Sequence, residues 1–308
     1  MGTPDFALFG LSALVDAGEN VCAVVTQTDK PSGRGMTLTP PPVKVYAASH
    51  GIPVYQPKTL KDGAFADELA AIDPEMIVVV AYGKILPPYV LDYPKYGCIN
   101  IHGSLLPRYR GAAPMQRAIL EGESVTGVTS MYMAEGLDTG DMLLREEVEI
   151  KETDNFEDVH DKLGAAGARV LLATVDAAKR GKLRPIPQDD ALATYAPKIE
   201  KEECLLDFAE DAKRLHDKIR GMSPFPLAYT FLPDGRRLKI LRAHYTRTAQ
   251  NAPAGTVVSA DKHGIAVACG GGLIVVETAC PEGKKPMSAV DLCNGRQIAV
   301  GDRLGQPQ

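Results

Sequence analysis

The chain has 308 residues, 45% of them hydrophobic and 24% charged, which is ordinary for a soluble globular protein and longer than most single cores. Two domains are therefore expected. The net charge of -5 excludes a protein that coats nucleic acid indiscriminately, and no apolar run approaches the ~18 residues needed to span a bilayer.

The N-terminal stretch MGTPDFALFGLSAL lacks a basic n-region, so no secretory signal is expected and the cytoplasm is the expected compartment. Thr3, Pro4 and Asp5 read as N-cap, first helical proline and first-turn acid of an amphipathic helix ending near Gly18. An α/β domain normally supplies a strand before such a helix. None is present, so a truncated start or a sheet short of its first strand is expected.

Residues 20–27 read as a Val-rich buried strand, followed by the basic loop Thr28-Asp-Lys-Pro-Ser-Gly-Arg-Gly35. That loop has no G-K-[ST] for a P-loop and no G-x-G-x-x-G for a dinucleotide, and reads as a mobile surface loop. Residues 43–49 are predicted helical, 53–55 a short strand, and 64–71 a helix. The continuous apolar run 76–81 has the length of a strand buried on both faces. A short helix at 87–91 precedes a strand at 97–101.

That strand delivers Asn100-Ile-His-Gly-Ser-Leu-Leu-Pro-Arg-Tyr-Arg-Gly111, which is too polar and punctuated for a core strand. Beyond it, a helix is predicted at 112–121, strands at 124–133 and 142–150, and a long amphipathic helix at 156–180. Alternating strands and helices imply a doubly wound, mostly parallel sheet whose ligand crevice lies beyond the strands' carboxyl ends. Residues 181–200 are Pro-rich and aperiodic, and read as a linker.

From residue 201 onward the chain carries 15 Lys+Arg against 12 Asp+Glu, a mildly basic third on an acidic body. A helix is predicted at 209–221, then strands at 228–232, 238–245, 255–259, 264–268 and 273–278, and a helix at 288–294. Such a run of short strands suggests a small OB-like β-barrel. The expected domains are thus 1–180, a linker at 181–200, and 201–308. The cysteines at 22, 98, 204, 269, 280 and 293 show no C-x-x-C spacing, and most read as buried free thiols.

Asn100 and His102 lie two residues apart, so both point to one face of the strand end while Ile101 points to the core. A neutral donor beside a group that changes charge near neutral pH suits a reaction in which a carbonyl oxygen becomes negative while a proton moves. The imidazole needs a partner, and Asp138, in the turn Leu137-Asp-Thr-Gly140 between two predicted strands, is the candidate; Asp-Thr-Gly is equally an ordinary Asx-turn sequence. The remaining histidines, 50, 160, 216, 244 and 263, read as surface positions. With no G-x-S-x-G elbow, Ser104 reads as a ligand contact rather than a nucleophile, and no residue cluster has metal-ligand spacing, so no metal is expected.

Taken together, GTPDFA, DKPSGRG, VVVAYGKILP, NIHGSLLPRYRG with AAPMQRAI, and GVTSMYMAEGLDTGDML resemble the methionyl-tRNA formyltransferase family over nearly the whole chain. The Asn-x-His pair with a later Asp is common to the wider group of enzymes that use 10-formyltetrahydrofolate. The DKPSGRG loop and the C-terminal KIRGMSPFPLAYT point to the tRNA enzymes.

The resemblance implies formyl transfer, through a tetrahedral intermediate, from 10-formyltetrahydrofolate to the α-amine of methionine on initiator tRNA, for translation initiation. Asn100, His102 and Asp138 match the family's catalytic positions, Ser104, Leu105, Leu106 and Pro107 its folate-contact segment, and Arg34 the loop arginine that approaches the tRNA acceptor end. A monomer is expected, with no membrane contact. Arg108 and Arg110 stay open between backbone support and tRNA contact. Phe225-Pro-Leu-Ala-Tyr229 departs from the family's frequent Gly and Trp. Formylation of an amino sugar nucleotide or purine precursor, or non-catalytic RNA binding, remain the alternatives.

Overall fold

A computed structural model describes residues 1–32 and 36–305. The chain divides into two compact units, the first comprising Met1–Pro114, Val125–Glu149 and His160–Ala196, the second Met115–Ser124, Ile150–Val159 and the remainder from Pro197. Arg34 lies outside the described residues.

In the first unit the elements run α1 (Phe6–Asp16), β1 (Val24–Val25), β2 (Lys30–Ser32), β3 (Thr37–Thr39), α2 (Pro42–Ser49), β4 (Val54–Tyr55), α3 (Ala66–Ile72), β5 (Ile77–Val79), α4 (Pro88–Leu91) and β6 (Cys98–His102). Next in sequence come α5 (Pro114–Leu120), which but for Pro114 belongs to the second unit, then β7 (Val125–Tyr132), β8 (Met142–Glu149) and α6 (Phe156–Lys179), whose body from His160 lies in the first. Strand β1 pairs with β4 and β5 with β6 in parallel, whereas β6–β7 and β7–β8 are antiparallel. The sheet is therefore mixed, parallel on one side of β6 and antiparallel on the other. Helix α6 packs closely at its glycines: a Cβ on Gly164 would fall 2.4 Å from the Phe9 ring of α1, and one on Gly167 3.3 Å from Ile101 of β6. The opposite side of the sheet is a core of Leu60, Phe65, Leu69, Tyr82, Leu86 and Val90.

Three local expectations change. Helix α1 is capped by Asp5, whose carboxylate accepts from the Phe6 amide, rather than by Thr3. The Thr3 hydroxyl instead bridges the two strand ends, donating to the Tyr82 carbonyl and accepting from the Gln27 amide. The basic loop after residue 27 is flanked by a two-stranded hairpin, β2 with β3.

The strand expected over residues 20–27 shortens to Val24–Val25, beside which Gly2 bridges Val80 at the end of β5. There the Gly2 amide donates to the Val25 carbonyl, the Val80 amide to the Met1 carbonyl, and the Met1 ammonium to the Val78 carbonyl at 2.6 Å. Beside them a cavity of about 370 Å³ is walled by residues 19–24 and 73–76 and floored by Gly10, Leu11 and Leu14 of α1. Burial pushes the Met1 amine down from 8.0 to about 6.

In the second unit α7 (Ala212–Gly221) is capped by Asp211, whose side chain accepts from the Lys213 amide. Strands β9 (Ala228–Phe231), β10 (Arg237–Thr246), β11 (Val257–Asp261), β12 (Gly264–Cys269), β13 (Gly272–Pro281) and β14 (Met287–Ser288) precede α8 (Ala289–Asn294). They form an antiparallel sheet of order β11-β12-β13-β10-β9, with β14 beside β13. The segment after α8 links the sheet's two edges, since Thr256 bridges Arg303 and the Gly305 amide donates to the Phe231 carbonyl. This curls the sheet round Leu215, Ile219, Leu238, Ile240, Val267 and Ile274, as expected of a small barrel.

His216, expected at the surface, is buried, its ring 5.3 Å from that of Tyr245. The α7 face that carries Leu215 and Ile219 also turns this histidine inward. Burial and the Arg220 charge push its imidazole below the usual histidine value. All six cysteines are free; 98, 204 and 269 are buried, 280 and 293 partly so, and Cys22 is exposed.

Candidate active site

Strand β6 is flanked by β5 and β7, with Val79 opposite Asn100 on one side and Thr129 opposite His102 on the other. Its Ile99 and Ile101 are buried, so the alternate residues Asn100 and His102 face the strand end's other side. They too are largely covered, at 9% and 6% exposure, which removes most water from around their polar atoms.

Asp138 arrives from the turn between β7 and β8. One of its oxygens, Oδ1, accepts from Asn100 Nδ2 at 3.4 Å, while Oδ2 accepts from the Gly111 amide at 2.8 Å and lies 3.7 Å from His102 Nδ1. The residues that the sequence proposed as partners from two separate segments are thus brought together. Asp138 has φ of 51°, a left-handed conformation that Asp tolerates better than most side chains.

The imidazole's tautomer follows from its other nitrogen. His102 Nε2 lies 2.9 Å from the Tyr109 carbonyl, which can only accept, so Nε2 carries a hydrogen. In the neutral ring Nδ1 is then a bare lone pair facing the Asp138 carboxylate. With the ring in that neutral form, the two atoms are acceptors 3.7 Å apart and form a receptor for one incoming N–H. Asn100 contributes a donor beside them and makes no other side-chain hydrogen bond among the described residues.

The Ser104 hydroxyl is fully buried and donates to the Arg108 carbonyl at 2.6 Å, holding the turn that contains Leu105, Leu106 and Pro107. Thr129 Oγ1 clamps the same turn, donating to the Ser104 carbonyl and accepting from the Leu106 amide. Leu106 is buried, while Leu105 and Pro107 are partly exposed. Arg108 is exposed, with its guanidinium 5.2 Å from the Tyr109 ring, whereas Arg110 is 2% exposed and serves as support.

Sequence reasoning missed Gln188, whose Nε2 donates to the carbonyls of Asp138 and Gly140 at 2.8 and 2.7 Å. It lies in a Pro-rich aperiodic stretch, where an amide residue gives no signal. Among the described residues no group of three or more His, Cys, Asp and Glu side chains could hold a metal ion, and no helix is long and apolar enough to cross a membrane.

Residues 2–175 match the family model described as formyl transferase, and residues 198–297 that of the formyl transferase C-terminal domain. The methionyl-tRNA formyltransferase of Citrifermentans bemidjiense is 48% identical over 306 residues, covering 99% of this chain and 95% of that protein. That of Bacillus subtilis is 47% identical, covering 99% and 96%.

Among solved structures, the N-formyltransferase of Helicobacter canadensis in complex with folinic acid and dTDP-3-aminofucose aligns with a TM-score of 0.64 at 16% identity, over 89% of this chain and 96% of that one. HypX of Aquifex aeolicus in complex with tetrahydrofolic acid aligns at 0.63 and 15% identity, over 93% of this chain and 49% of that one. At these identities the two structures speak for the fold alone.

Proposed function

Because the chain belongs to the methionyl-tRNA formyltransferase family, we infer that Asn100, His102 and Asp138 carry out its formyl transfer. The enzyme formylates the α-amino group of methionine on initiator tRNA from 10-formyltetrahydrofolate, for translation initiation. The folate supplies an activated formyl group on a nitrogen that can leave. The residues present suit such a donor: Asn100 has a second amide N–H besides the one it gives to Asp138, available to an oxygen that gains charge, and the 104–107 turn offers the partly exposed apolar Leu105 and Pro107.

The single observation that carries the assignment is the 3.7 Å approach of Asp138 Oδ2 to His102 Nδ1, in a ring whose Nε2 is held by the Tyr109 carbonyl. As the methionine amine forms its bond to the formyl carbon, it must lose a proton. His102 Nδ1 takes that proton and Asp138 stabilises the resulting imidazolium. Asn100 Nδ2 donates to the oxygen that gains charge, joined by Nδ1–H once the ring is protonated. The proton then passes from His102 to the departing nitrogen as its bond to carbon breaks, and the imidazole returns to its neutral tautomer.

In this reading Ser104 acts through the turn it closes, so the 104–107 segment meets the folate with its backbone and the Leu105 and Pro107 side chains. Residues 1–180 form the catalytic domain, and 201–308, the mildly basic barrel, holds tRNA. Arg34 reaches the acceptor end. The enzyme works as a cytoplasmic monomer. A direct test incubates it with methionyl-tRNA and 10-formyltetrahydrofolate, with deacylated tRNA and an amino sugar nucleotide as alternative acceptors. Formylmethionine must form only with the charged tRNA and only when the donor is present; preference for the sugar overturns the acceptor assignment.

A further inference from the structure

The stretch 188–196, which reads as a linker, is bonded along its length to the segment that follows His102. The Arg110 amide donates to the Thr194 carbonyl and the Ala196 amide to the Arg110 carbonyl, at 2.8 and 2.7 Å. Thr194 Oγ1 accepts from the Tyr109 amide at 2.9 Å. The approach is close enough to require glycine at 111, where φ is 119° and a Cβ would fall 2.9 Å from the Ala196 carbonyl oxygen. Within this strap one side chain reaches the turn that carries Asp138. Gln188 Nε2 donates to the carbonyls of Asp138 and Gly140, and its Oε1 accepts from Arg110 Nε at 3.0 Å. Arg110 is in turn held by Asp190 through Nη2 at 2.8 Å.

We propose that Gln188, oriented by the buried Arg110, is a positioning residue that fixes the Asp138 carboxylate against His102. Asp138 has a left-handed backbone, and among the described residues the one backbone anchor of its carboxylate is the Gly111 amide. Both N–H groups of the Gln188 amide are committed to carbonyls of that turn, and the oxygen that sets the amide's orientation is committed to Arg110. The amide therefore has one orientation, and the turn has one position. Lys at 110 would retain the charge but not the fork that bonds Gln188 and Asp190 together.

The inference rests on the assignment of Asp138 to the reaction, and a double-mutant cycle separates the two. Single-turnover formylation of methionyl-tRNA is measured for Gln188→Ala, Arg110→Lys, Asp138→Asn and the Gln188→Ala/Asp138→Asn pair, with the melting temperature of each. Gln188→Ala is expected to slow the step by about a hundredfold, as for a displacement of about 1 Å, with the KM for the folate donor near wild type. Arg110→Lys is expected to follow it in the same direction, which keeps the test open if Gln188→Ala folds poorly. In the Asp138→Asn background, Gln188→Ala is expected to cause almost no further loss. Losses that multiply in the double variant, or a Gln188→Ala enzyme of normal rate, overturn the positioning role while leaving Asp138 in place. Normal turnover by Asp138→Asn overturns both.

Discussion

Replacing Asp138 by Asn removes one negative charge and keeps the side chain's shape, so it tests the proton receptor without opening a cavity. The carboxylate oxygen lies 3.7 Å from His102 Nδ1, and the Asp138 side chain is 14% exposed. At an effective dielectric of about 20, a carboxylate at that distance stabilises an imidazolium by roughly 4 kcal/mol. Lost entirely from the transition state, that is about a thousandfold in rate. The amide oxygen of Asn can still accept from the Gly111 amide, so the turn keeps its anchor. Pre-steady-state formylation at saturating donor and methionyl-tRNA reads the chemical step, and thermal unfolding controls for the fold. A kcat within about threefold of wild type, with the fold intact, would refute the argument. A rise in KM for tRNA at unchanged kcat would reassign Asp138 to binding.

Other consequences follow from the same geometry. Asn100→Ala removes one donor from the developing oxyanion and is expected to lower turnover by about a hundredfold, ~3 kcal/mol, whereas His102→Ala removes the proton acceptor through which Asp138 acts and is expected to cost at least as much as Asp138→Asn, both at nearly unchanged melting temperature. Arg34→Ala is expected to raise KM for methionyl-tRNA while folate binding, followed by fluorescence titration, stays the same. Asp217→Ala leaves the Arg220 guanidinium buried without its 2.7 Å partner, and is expected to cost about 3–5 kcal/mol in urea unfolding. For the chain with a free Met1 amine, the folded value near 6 lies below the ordinary 8.0, so the unfolded chain binds an extra proton between them. Stability is therefore complete above pH 8 and falls by up to about 3 kcal/mol as the pH drops to 6. Acetylating that amine is expected to flatten the slope, and an unchanged slope would remove Met1 as its source.

What was legible in advance was local. Strand β6 and its polar end announce themselves by alternation, α6 by its apolar stripe, and the barrel strands by short runs between turns, because each signal is carried by residues a few positions apart. The hidden features depend on what comes from elsewhere. Residues 20–23 have the composition of a strand but line a cavity instead, since a strand needs a neighbour along its length. His216 reads as a solvated helix residue until β10 lays Tyr245 against it.

The site divides in the same way. By itself the sequence determined the formyltransferase family, the alternation of strand and helix, and the presentation of Asn100 and His102 on one face of a strand end. Only the tertiary structure decided that Asp138, 38 residues beyond Asn100, closes the group, and that Gln188, 78 residues beyond Arg110, holds the turn in place. The physical reason is that side-chain direction along a strand is set by the pleat, which any short stretch contains. A hydrogen bond between distant segments exists only after the chain has closed the loops between them, and no local pattern records which donors and acceptors that closure brings together.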